Sequence, residues 1–134
     1  DAESVSGEQL GCFRESDFTK VTITDWVRKI GSYAFEDCKN LKTVIIDNLE
    51  SWCAINIGHN ANPLQNAEHL IVGGKEIIDL VIPETITSIT DRAFHGYKGL
   101  KSITIGDFVS YIGEYITKFT ALLHKILLFL YIKI

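Results

Sequence analysis

Four histidines and three cysteines are the side chains of this sequence best suited to chemistry, and their spacing decides whether they can act together. A structural zinc takes four ligands, and a catalytic zinc takes three plus water. His59 and His69 have no third ligand at any metal-binding spacing, while His95 and His124 stand apart from them. Cys12, Cys38 and Cys53 form neither an even framework nor a C-x-x-C pair. The run Gly73-Gly74-Lys75 has the flavour of a phosphate loop, but that loop needs G-x-x-x-x-G-K-S/T leading into a helix, and a strand-like run follows here. Covalent and acid–base catalysis need a nucleophile, a base and an orienting group in mutual reach, and no stretch assembles them. The expectation is a protein that is not an enzyme, with no metal and no cofactor.

Composition narrows the alternatives. The 134 residues fit one domain, and 46% apolar residues are enough for a packed core. A formal charge of −4 argues against nucleic acid, whose partners present a basic stripe. The longest apolar run, Ile126 to Ile132, has seven residues, whereas a membrane-spanning helix needs about 20. No transmembrane segment is expected. The sequence starts at Asp1 and contains no Met, which suggests a processed or trimmed product.

What must position any functional residue is a repeat. "AFEDCKNLKTVII" (34–46) and "AFHGYKGLKSITI" (93–105) share an apolar frame and differ at Glu36/His95 and Cys38/Tyr97. The differing positions read as an outward site (Glu36, His95) and a buried space-filler (Cys38). The pattern L-x-x-V-x-I recurs with its last anchor at Ile23, Ile46, Ile82, Ile105 and, more loosely, Leu128. The spacings are 23, 36, 23 and 23, and 36 reads as one period plus an insertion of 13. A second apolar pair follows at offsets four and seven: Val27/Ile30, Ile86/Ile89 and Val109/Ile112. A period of 20 to 29 with a strand and a return leg is the sign of a leucine-rich solenoid, whose units must stack to share a core. Strands are predicted at 18–23, 41–46, 77–82 and 100–105, consecutive and parallel, with Leu41, Val44 and Ile46 on Ile77, Leu80 and Ile82. Pro83 ends the third.

"IGSYAFEDCKNLKTVII" (30–46), "ITDRAFHGYKGLKSITI" (89–105) and "LVIPETITSI" (80–89) resemble the BspA-type leucine-rich repeats of bacterial surface proteins. The resemblance covers about residues 10–116, with Ile116-Thr117 replacing the expected "AF" of the last unit. It implies a secreted or surface-exposed bacterial protein that binds host or matrix proteins, or neighbouring cells.

The whole chain, 1–134, reads as one repeat solenoid of about five rungs made of short parallel strands. Strand alternation puts Lys20, Thr22, Thr43, Ile45, Asp79, Val81, Ser102 and Thr104 on one open face, the candidate partner-binding surface. Lys39, Lys42, Lys98 and Lys101 predict a basic rim, and Asp25, Glu84 and Asp107 an acidic one. The irregular insertion, 47–76, combines a helix with Leu49, Trp52, Cys53 and Ile57 on one side, a loop at "NANPL", and a hairpin with Gly73-Gly74 at its tip. Trp52 reads as a core plug. The competing functions are a structural spacer without a ligand, and a carbohydrate-binding module built on Trp52 and the insertion. The apolar tail, 117–134, is a degenerate last rung or cap that folds over the stack or buries itself in another chain, giving self-association.

Overall fold

β-Branched residues at alternate positions fix where the chain extends, and paired left-handed corners fix where it turns. The computed structural model of the protein describes residues 4–5 and 13–115. In chain order the strands are β1 (Ser4–Val5), β2 (Lys20–Ile23), β3 (Lys29–Ile30) and β4 (Thr43–Ile46). Helix α1 (Leu49–Ala54), β5 (Asn56–Ile57), a 3₁₀ turn (Pro63–Gln65), β6 (His69–Val72) and β7 (Lys75–Glu76) follow. The chain then forms β8 (Asp79–Val81), β9 (Ser88–Ile89), β10 (Ser102–Thr104) and β11 (Tyr111–Ile112).

The longer strands make a sheet in the order β2-β4-β6-β7 and a pair β8-β10, while the short return strands make β1-β3-β5 and β9-β11. All pairings are parallel except the β6–β7 hairpin. Register keeps like on like: Val21, Val44 and Leu70 align, as do Ile23, Ile46 and Val72. These anchors point inward, and Val44 and Leu70 are fully buried. The expected rung at 123–128 and the tail 117–134 lie outside the described residues.

One expectation fails. The strand beside β4 is β6, so 77–82 does not follow 41–46 in the stack. The interval of 36 residues is a long period of 26, from Ile46 to Val72, plus a hairpin excursion of 10 from Val72 to Ile82. The supposed insertion is a disguised repeat. α1 lengthens the first half of that turn, and Ala67, Leu70 and Val72 stand at the three anchor positions, all but Val72 buried. The helix is short: Asn48 caps it by accepting from the Ser51 N–H at 2.8 Å, and it stops at Ala54. Ile57, expected on its stripe, lies in β5 instead, paired with Ile30.

Backbone corners confirm the hidden repeat independently. Tyr33, Asn60, Arg92 and Tyr115 all have φ between 49° and 63°, and each stands three residues after the isoleucine of a return strand. A non-glycine residue in this region costs roughly 1–2 kcal/mol, so four such residues in phase mark a corner imposed by the coil. The return strands also approach closely. A Cβ at Gly58 would sit 2.6 Å from the Ser32 amide nitrogen, and one at Gly113 would sit 2.4 Å from that of Asp91.

One apolar core runs through the stack, from Ile23 to Val109. Three polar side chains pin its two halves. The Trp52 indole N–H donates to the Ala93 carbonyl at 2.8 Å. The Asn62 amide donates to the carbonyls of Arg92 and Ala93. The Tyr97 hydroxyl accepts from the Leu70 N–H at 3.1 Å and donates to the Ile77 carbonyl at 3.4 Å.

Candidate functional site

The parallel ladder decides which side chains share the open face. Lys20, Thr43 and His69 form one row, and Thr22, Ile45 and Ile71 a second. Rows advance by roughly 4.8 Å per strand, so each spans about 10 Å. In the other pair, Asp79 faces Ser102 and Val81 faces Thr104. The eight predicted face residues therefore fall into two groups of four. Lys20, Thr22, Asp79, Val81 and Thr104 are exposed, whereas Thr43, Ile45 and Ser102 are half-buried. His69 and Ile71 also belong to the face. Their signal was present in "AEHLIV", but an alanine in the leucine position and a period of 26 in place of 23 concealed it.

The chemistry of the face is recognition by shape and hydrogen bonding. Val81 is 62% exposed, giving apolar contact area beside polar groups. Ser102 donates to the Asp79 carboxylate at 2.6 Å, fixing both side chains. His69 pairs with Glu76 across the hairpin, and this hydrogen bond raises the imidazole above its ordinary pKa.

Other sequence-singled residues resolve clearly. Trp52 is 2% exposed with its N–H used internally, so its ring is not available to a sugar. Cys38 is buried, and its thiol donates to the Phe13 carbonyl at 2.9 Å. His95 is half-buried against the Tyr115 ring, centroids 5.9 Å apart, and is not an outward residue. Its counterpart Glu36 is also half-buried, held by Arg14 at 3.0 Å. Among the described residues no three His, Cys, Asp or Glu side chains gather as a metal site, and no helix is long and apolar enough to cross a membrane. On the basic rim, Lys39, Lys42 and Lys98 meet around a hollow of about 440 Å³. Lys101 is exposed outside its lining, as are Asp25, Glu84 and Asp107 on the acidic rim.

Stacked parallel strands, inward leucine and isoleucine anchors and a repeated corner define a leucine-rich-repeat solenoid. The family described as BspA type Leucine rich repeat region matches in six copies over residues 9–61 and 73–129, and the chain belongs to that family. The gap between the matched stretches, 62–72, holds β6 with its atypical spacing. No curated protein and no solved structure matches the chain. Repeats of this family are of the surface and adhesion type, and the fold is in general a non-enzymatic one for protein interaction.

Proposed function

We propose that this chain is a non-enzymatic binding module of a bacterial secreted or surface protein, which attaches to host or matrix proteins through its sheet face. The observation carrying this reading is the in-register ladder, which repeats the same two outward positions from strand to strand and so builds two patches of surface, one on β2, β4 and β6 and one on β8 and β10. Thr22, Val81 and Thr104 are exposed and serve no core contact, so they are free to meet a partner. Family membership supports the surface location and the class of partner.

The test replaces Thr22, Val81 and Thr104 together with lysine and measures binding to immobilised extracellular-matrix proteins by surface plasmon resonance. Affinity should fall roughly tenfold or more, as when interface residues worth above about 1 kcal/mol are lost. The circular dichroism spectrum should not change. Undiminished binding by a folded variant would remove the face from the account, and absence of binding by the unmodified chain would favour a spacer that only presents other domains.

A further inference from the structure

We propose that the solenoid carries a second binding site, a basic hollow beside the strand starts that takes a short acidic peptide segment with two neighbouring carboxylates. The hollow is lined by Lys39, Lys42, Gln65, Asn66, Glu68 and Lys98, and its volume of about 440 Å³ lies in the range of ligand sites. Its charged lining carries three positive groups and one negative, in a chain of formal charge −4. Cations gathered against the sign of the whole molecule attract an anion locally.

The repeat and its disguised third turn build this arrangement. Lys39 and Lys98 occupy the same position of two repeats 59 residues apart, and the 65–68 segment forms the wall between them. Two glycines let the 96–99 loop close on that wall. Gly96 has φ +81°, and a Cβ there would lie 3.0 Å from the Gln65 Cα. A Cβ at Gly99 would lie 2.9 Å from the Glu68 carbonyl and 2.3 Å from the Tyr97 hydroxyl. The pinned backbone holds the lysines around a ready space, which lowers the ordering cost of binding.

The hollow already holds one carboxylate–lysine pair, Glu68 to Lys42 at 3.1 Å, with both side chains half exposed or more. A pair so exposed is weak, and an incoming carboxylate can displace it. Gln65 and Asn66 add amides able to bond a peptide backbone. None of the described lining residues is aromatic, so a sugar ring finds no stacking platform. On the far side of Lys39 lies a second hollow, of about 330 Å³, lined by Glu15, Asp17 and Asp37. That acidic neighbour repels a long polyanion running past Lys39, whereas a short acidic cluster ends before reaching it. The ligand is therefore a peptide with a compact acidic pair rather than a sulfated polysaccharide.

The experiment titrates the ¹⁵N-labelled chain with an octapeptide that has a central glutamate pair in otherwise neutral residues. Saturable shifts should appear at the amides of Gln65, Asn66 and Gly99. Lys39→Gln with Lys98→Gln should weaken binding roughly tenfold, the scale of two screened charge contacts. Lys29→Gln with Lys75→Gln, exposed lysines outside the hollow, should leave it unchanged. The sheet-face triple variant should also bind the peptide normally, which separates this site from the face. The proposal is overturned by shifts that do not saturate, by equal loss in the Lys29/Lys75 control, by loss in the face variant, or by tighter binding of heparin at the same amides.

Discussion

Tyr97 and Cys38 stand at one position of the repeat, and their difference in reach matches the different neighbours they must satisfy. The Cys38 thiol reaches one carbonyl, that of Phe13, in the turn before it. Tyr97 extends to the hairpin and bonds both its outgoing strand at Leu70 and its returning strand at Ile77. Tyr97→Phe should cost about 1–3 kcal/mol, because it leaves the buried Leu70 N–H without that acceptor, and chemical denaturation would measure it. Trp52→Ala should cost roughly 3–5 kcal/mol, combining a large cavity with the loss of its bond to Ala93. Sequence alone identified Trp52 as a core plug and Cys38, at the position Tyr97 holds in the other copy, as a buried space-filler. It could not reveal their hydrogen bonds, whose partners lie 41 and 25 residues away, nor those of Tyr97. Cys53 supports a separate prediction. Burial, reinforced by Glu50, pushes its thiol from 9.0 up to about 12. The folded state then holds this proton more tightly than the unfolded state does, so stability should fall as pH rises from about 9 towards 12. Tyr97, also raised by burial, acts in the same direction. Thermal melts across that range check the slope, and a flat profile would contradict the burial of Cys53.

Elements of this fold owe their stability to neighbours more than to themselves, since the strands have two to four residues each. Ile46 illustrates the point: it is 2% exposed and aligned between Ile23 and Val72. Ile46→Ala should destabilise by roughly 2–5 kcal/mol. Gly58→Ala should cost about 1–3 kcal/mol because the added methyl meets the Ser32 backbone, which cannot swing aside like a side-chain tip. Gly73→Ala is the contrast: nothing lies within 4 Å of the new methyl, and only the left-handed φ of +56° opposes it. Urea midpoints for the three variants should therefore fall least for Gly73→Ala. Strands obeying L-x-x-V-x-I were legible because apolar phase and β-branching agree over several copies. β6 was not, for three physical reasons. A small alanine replaced its first anchor, a helix added residues before it, and the 3₁₀ turn at Pro63 shortened the loop after it began. Each change is harmless to a stack, which requires matching strands but tolerates varied connections.

At the scale of the molecule, the hidden rung decides the shape of the functional surface. With 69–72 beside 43–46, the face runs unbroken from Lys20 to His69 and from Thr22 to Ile71. The candidate face residues were legible from strand alternation, whereas their division into two groups depended on the hairpin's position. The same rung brings 65–68 between the two lysine-bearing loops and so forms the basic hollow. The central claim is therefore that the third strand of the stack is 69–72. Cross-strand nuclear Overhauser effects in the labelled chain test it most directly. The account predicts contacts of Val44 with Leu70 and of Ile45 with Ile71, in parallel register. Contacts of Val44 with Leu80 and of Ile45 with Val81, with none to 69–72, would contradict it.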